Sequence, residues 1–169
     1  GDINSVDCGA LLNGFNGDSC YTFCVGEVSE EVRNLLKFTK ESLYEGIRNA
    51  CAGKRLGGVG YAVQTHCESA GYGVVREFVG PGIGKEMHED PQVPNYGRKG
   101  NGILIKNGMC IAIEPMITMG SPQIYMMPDR WTIKTRDGKP AAHFEHTIAI
   151  HHGKADILSS FEKIENQQN

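Results

Sequence analysis

The 169-residue chain has a single tryptophan, Trp131, and no cysteine pair spaced C-x-x-C. Its six cysteines, Cys8, Cys20, Cys24, Cys51, Cys67 and Cys110, therefore lack the spacing of a zinc cluster. Most sit in apolar-looking segments of a chain that is 40% hydrophobic, and a core of that size does not need a disulfide framework. A reduced, cytoplasmic protein is expected. No stretch approaches the roughly 18 apolar residues of a membrane helix. The opening Gly1-Asp2-Ile3-Asn4 has neither the basic segment nor the apolar run of a secretory signal, and no initiator Met. A basic excess is missing too, since 17 Lys and Arg against 20 Asp and Glu leave a formal net charge of -3. That excludes nucleic-acid binding through bulk charge, because neutralising phosphates requires a basic surplus or patch.

Glycine is what the chain has in excess: 22 residues, about twice the usual share. Tight turns and close backbone approaches follow from that, and a helical bundle does not. The length suits one domain. Residues 3–12 and 18–25 read as two strands around the turn Asn13-Gly14-Phe15-Asn16-Gly17, with Asn-Gly as the hairpin signal. Ser29 ahead of Glu30 and Glu31 reads as a helix N-cap. Val32, Leu35, Leu36, Thr39, Leu43, Ile47 and Ala50 then follow at helical steps, ending near Gly53. A second helix is expected from Gly58 to Ala70, stopped by Gly71. Residues 73–79 read as a strand and 80–102 as a Gly- and Pro-rich loop region. Strands are expected near 109–118, 123–127, 131–135 and 142–151, and a frayed polar tail from Glu165 to Asn169. The mixture argues for an α+β fold.

Four acids stand out. In a hairpin with an even-numbered loop, paired residue numbers sum to an odd value, so Asp7 and Asp18 share a sheet face. A two-residue Asn13-Gly14 loop sets Asp7 opposite Cys20, with Asp18 its diagonal neighbour roughly 7–8 Å away by Cα. Two carboxylates on one face repel, and burying them takes a cation or a proton. The plainer alternative, Asp18 capping a turn and Asp7 facing water, stays open from these two alone. Glu114 and Glu145 each lie inside a hydrophobic stretch, Met109–Ile117 and Ala142–Ile150, where an ionised Glu is rare unless paired. Four carboxylates on strands suit a pair of divalent ions about 3.5–4 Å apart, able to activate a bridging water and hold a carbonyl for hydrolysis. His88, in a loop, could donate to a substrate carbonyl or a tetrahedral oxyanion. Trp131 reads by default as a core residue. Among His143, His146, His151 and His152, period-two alternation sends His143 and His151 one way and His146 the other, so the four do not form one ligand set.

With these residues in place the chain resembles type I methionine aminopeptidase over essentially its whole length. The resemblance rests on G-D-I-N-S-V-D and N-G-F-N-G-D within Gly1–Asp18, G-Y-G-V-V-R-E-F-V-G at Gly71–Gly80 and G-I-G-K-E-M-H-E-D-P-Q-V-P at Gly82–Pro94. I-E-P-M at Ile113–Met116, W-T-I-K-T at Trp131–Thr135 and F-E-H-T at Phe144–Thr147 complete it. The interval from His88 to Glu114 has no room for the long insert of type II enzymes. The resemblance implies the pita-bread (creatinase/aminopeptidase-like) fold around two divalent ions, reported in the family as cobalt, manganese, iron or zinc. It implies removal of the initiator Met from nascent proteins with a small second residue, a bridging hydroxide being the nucleophile. Nascent N-terminal peptides, met at the ribosome, are the implied partners; neither nucleic acid nor membrane is expected.

Residue by residue, the resemblance makes Asp7 the chelating aspartate of one metal site and Asp18 a ligand shared by both. Glu114 becomes the glutamate of the other site and Glu145 the second bridging carboxylate. His88 matches the histidine that contacts the scissile peptide, and Met87 and Trp131 match positions lining the methionine pocket. Two departures are expected to matter. The family carries a metal-binding His where this chain has Pro81, and proline offers no donor, so metal binding should weaken. Family members also carry a segment ahead of G-D-I that supplies another active-site histidine and part of the methionine pocket. The chain therefore reads as a single partial catalytic domain, with uncovered sheet edges and poor folding expected alone. Two alternatives remain, a metal-deficient, non-catalytic pita-bread binding protein, favoured by Pro81, and a prolidase-type peptidase.

Overall fold

Asn13 (φ 52°) and Gly14 (φ 80°) both adopt left-handed backbone, the conformation a two-residue hairpin turn needs to match the twist of its strands. In the computed structural model, which describes residues 1–167, this turn joins β1 (Asp2–Leu12) to β2 (Phe15–Val25). The register sets Asp7 opposite Cys20 and Gly9 opposite Asp18, as the two-residue loop predicts. The turn is thus shorter than Asn13–Gly17, because Phe15 to Gly17 already pair with β1.

Helix α1 (Glu30–Asn49) starts where Ser29 Oγ accepts the Val32 N–H, with Glu30 and Glu31 in the first turn. Leu35, Thr39, Leu43 and Ile47 form its buried stripe. Gly46 lets α1 approach its neighbours closely, since a Cβ there would lie 3.0 Å from Val63 and 3.2 Å from Ile113. Helix α2 (Gly57–Ser69) packs on α1 and ends before Gly71, whose φ is +83°.

The region from 73 to 102 corrects the sequence reading. The expected strand over 73–79 shrinks to β3 (Gly73–Val74), and the expected loop region contains β4 (Gly80–Gly82) and β5 (Glu89–Val93). Its glycines mark crowding, not slack. A Cβ on Gly80 would sit 2.3 Å from the Ala112 carbonyl oxygen, and one on Gly82 would sit 2.4 Å from that of Asp90.

The two long strands expected later are each broken. The first becomes β6 (Cys110–Ile113) and β7 (Met116–Thr118), separated at Glu114-Pro115. After the hairpin of β8 (Ile124–Met126) and β9 (Ile133–Thr135), the second becomes β10 (Ala141–His143) and β11 (Glu145–His151), separated at Phe144. The register survives both breaks. Paired residue numbers keep one constant sum from Ala141 with Thr118 to Ala149 with Cys110. Between the two halves the Phe144 N–H donates to the Pro115 carbonyl at 3.4 Å. One bent ladder therefore feeds two sheets, β1-β2-β11-β6-β4-β5 with β12 (Lys154–Ile157) alongside β11, and β10-β7-β3.

Helix α3 (Glu162–Glu165) closes the fold by seating Phe161, 2% exposed, against Tyr21, Phe144 and His146. Glu165, expected to fray, accepts from Lys40 at 2.8 Å; residues 168 and 169 of the expected tail lie outside the described residues. The main core lies between the larger sheet and helices α1 and α2, with Leu35, Leu43, Val63, Ile111, Ile113 and Ile148 at its centre. No helix among the described residues is long and apolar enough to cross a membrane.

Candidate metal centre

Directly opposed residues of an antiparallel ladder point to the same side. Asp7 opposes Cys20, Cys20 opposes Glu145, and the constant register of the bent ladder brings Glu114 across from Glu145. One row of side chains thus runs on one face across β1, β2 and β11 to the break after β6. Asp18 lies two residues along β2 from Cys20, on that same face. Carboxylate oxygens of Asp7, Asp18 and Glu145 all lie within 4.8 Å of one another. The structure therefore unites three of the four predicted acids directly and sets Glu114 beside them. Glu114 occupies the strand break, not the strand interior that the hydrophobic pattern suggested.

Backbone pairing and one hydroxyl hold this geometry. Thr147 Oγ1 accepts the Asp18 N–H and donates to the Asp18 carbonyl, both at 2.8 Å, clamping β2 to β11. Asp18 Oδ1 also accepts the Ser19 N–H at 3.0 Å, which biases the side chain towards its charged form, but the opposing effects are larger. Burial, then the Asp7 charge, raise the Asp18 pKa. Glu145, 1% exposed, is pushed up to about 10, first by burial and then by the charges of Glu114, Asp18 and Asp7. Its Oε1 is buried without a hydrogen-bond partner. The Cys20 thiol, at 0% exposure, is raised by burial and by the same carboxylates, so it stays a neutral thiol.

Met87 does reach the face, its Cε lying 2.2 Å from where a Cβ on Gly9 would stand, beside Asp18. A side chain at position 9 would require the end of Met87 to move. His88 is exposed in the loop between β4 and β5. Trp131 corrects the expectation of a core residue, being 87% exposed just before β9, where its N–H donates to Asp129 Oδ1. Pro81 is half-buried on β4. With Gly82 opposite Ile111, it falls beside Ala112, in the row that also carries Asp18 and Thr147. Sequence reasoning placed Cys20 opposite Asp7, as found, but missed His143 as a member of this face. The two-residue step from His143 to Glu145 was the available signal. His146 points away as expected, buried against Phe161 and Tyr44, with burial lowering its pKa to about 4.

An open groove of about 910 Å³ reaches the face past Asp7 and His143, walled by Phe78, Tyr125 and Ile133. A second cavity of about 1140 Å³, between α2 and the segment after β5, touches none of the four acids. The groove beside the carboxylates is therefore the one relevant to their chemistry.

The sequence profile of metallopeptidase family M24 fits residues 1–152. The chain belongs to that family. It is 52% identical over 159 residues to a methionine aminopeptidase of Clostridium acetobutylicum, covering 94% of this chain and 64% of that protein. The crystal structure of methionine aminopeptidase from Thermotoga maritima superposes with a TM-score of 0.91 at 46% identity, over 94% of this chain and 64% of the other. A prolidase from Pyrococcus furiosus is more distant, with a TM-score of 0.73 at 26% identity over 95% of this chain and 42% of the other. The α+β pita-bread fold expected from the sequence is thus established, and this M24 chain spans a little under two thirds of its curated methionine aminopeptidase relatives. Membership of a metallopeptidase family implies divalent metal ions. The M24 face fits them, because a fully buried glutamate with an unpaired oxygen among further carboxylates is costly without a cation.

Proposed function

We propose that this M24 chain carries the catalytic centre of a type I methionine aminopeptidase, which removes the initiator Met from nascent chains with a small second residue. One observation carries the reading: acids from β1, β2, β11 and the break after β6 meet on one face around the buried Glu145. Asp7, Asp18, Glu114 and Glu145 would hold two divalent ions. An oxygen-rich donor set suits manganese best among cobalt, manganese, iron and zinc. The ions, when bound, supply Lewis acidity and make a water nucleophilic at neutral pH.

The remaining roles belong to side chains of the protein. Glu145, raised in pKa first by burial, would give up its proton to take part in the charged site. His88 donates to the scissile carbonyl and to the oxyanion that grows from it. Met87 and Trp131 line the pocket for the methionine side chain. Free cysteines throughout fit a reducing compartment, the cytoplasm. Nascent N-terminal peptides, presented at the ribosome, are the substrates in this reading.

The test is manganese titration of the EDTA-stripped chain by calorimetry, paired with Met release from a Met-Ala-Ser peptide. Saturation at two ions per chain with Met release is expected, and Glu145→Gln removes both. Unchanged uptake in that variant refutes the shared-ligand reading. Absence of uptake in the parent favours the metal-deficient binding protein that Pro81 suggests, and Pro81→His then restores uptake. Preference for an X-Pro dipeptide over Met-Ala-Ser favours the prolidase reading.

A further inference from the structure

His143 ends β10 two residues ahead of Glu145, in the row of side chains next to Asp7, Cys20, Glu145 and Glu114. Its Nε2 lies 3.5 Å from Glu114 Oε2, without the geometry of a hydrogen bond. A ring nitrogen of His143, an Asp7 carboxylate oxygen and Cys20 Sγ lie within 4.8 Å of one another. His143 Nε2 is shut off from solvent and has no hydrogen-bond partner, and the same holds for Oε1 of Glu145, which is 1% exposed, on the same sheet face. Buried polar atoms are rarely left unpaired. Two of them beside the same carboxylates mark a site that something else completes.

The ring is aimed by the fold. Thr22 Oγ1 accepts the His143 N–H at 3.0 Å and donates to its carbonyl at 2.7 Å, fixing the backbone from β2. The Cys20 thiol donates to that same carbonyl at 3.7 Å, a second tie from β2 to the His143 backbone. On the other side of Glu114, Pro81 offers no donor atom. An imidazole nitrogen is a good ligand for manganese, iron, cobalt and zinc alike.

We propose that His143 is a metal ligand of this chain, its Nε2 coordinating the divalent cation held by Glu114 and supplying a nitrogen donor to an otherwise all-carboxylate centre. This rests on the metal-binding reading above, and the experiment separates the two. The full chain is loaded with cobalt(II); affinity is measured by equilibrium dialysis and donor identity by X-ray absorption at the cobalt edge. In the parent chain the spectrum shows imidazole scattering. His143→Ala and the size-conserving His143→Gln both lose it, and affinity falls by about 10-fold or more, the range seen when metal-site partners are removed. Cobalt uptake without imidazole scattering in the parent overturns the assignment and leaves the carboxylate site standing. Imidazole scattering that persists in both variants assigns the nitrogen to another histidine and overturns it equally. Failure of the parent to take up cobalt overturns both readings.

Discussion

Thr147 makes two bonds to one residue, and both serve the carboxylate face. Its hydroxyl accepts from the Asp18 N–H and donates to the Asp18 carbonyl, so the strand carrying Asp18 cannot slide against the strand carrying Glu145. Thr147→Val keeps the shape and removes both bonds, leaving an N–H and a C=O unpaired in a half-buried position. A loss of about 1–3 kcal/mol in stability follows, read from the urea midpoint, and manganese affinity falls with it. An unchanged midpoint would show that water satisfies Asp18 equally well. At this scale much was legible in the sequence. Parity alone put Asp7 and Asp18 on one face, and hydrophobic context singled out Glu114 and Glu145. The same hairpin register set Cys20 opposite Asp7, whereas His143 escaped because its place depends on which strands are neighbours. Alternation within β2 or β10 says which side a residue takes but not what stands opposite. Trp131 was misjudged because a lone aromatic is read as core by default, whereas its chain position, after the tight Asp129 turn, leaves it outside.

At the scale of elements, α1 was readable from its N-cap Ser29 and helical apolar stripe, and α2 from its apolar positions and the stop at Gly71. β4 and β5 were hidden by the same residues that make them possible. Gly80 and Gly82 look like loop residues in one dimension, yet they permit the backbone of β4 to press against β6 and β5. Gly80→Ala tests this. The new methyl would stand 2.3 Å from the Ala112 carbonyl oxygen and 3.3 Å from Glu114 Cγ, and backbone cannot yield as a flexible side chain can. The expected cost is about 1–3 kcal/mol, the range of core overpacking, together with a drop in cobalt affinity as Glu114 is displaced. Wild-type stability and affinity in this variant would mean that β4 has slack, and that its glycines are no closer to their neighbours than loop residues would be. The breaks at Glu114-Pro115 and Phe144 were equally illegible. The hydrophobic pattern runs through them unchanged, and only the pairing shows one ladder bending from the larger sheet into the smaller.

Taken as one molecule, the protein gathers four carboxylates on one face around the buried Glu145, and its pH response follows from that. Glu145 titrates at about 10 in the fold against an ordinary value of 4.5. The folded chain therefore keeps a proton that the unfolded chain releases, and stability is lost as pH rises between those values, by up to about 1.4 kcal/mol per unit. Asp18, also raised, adds to the same slope. His146 acts in the opposite sense at the acid end. Burial lowers it from 6.5 to about 4, so the unfolded chain takes up the proton first and stability is lost as pH falls through that window. The two slopes oppose each other between 4.5 and 6.5, and above 6.5 Glu145 acts without that opposition. In EDTA the urea midpoint should therefore fall steadily as pH rises above 6.5. Manganese reverses that limb, because the cation binds the ionised carboxylates that destabilise the metal-free fold. Glu145→Gln should flatten the EDTA limb and abolish the manganese effect together, since one carboxylate is the source of both. A metal-free midpoint that climbs with pH above 6.5 would mean that Glu145 is already ionised in the fold, with its charge balanced by something other than a divalent cation.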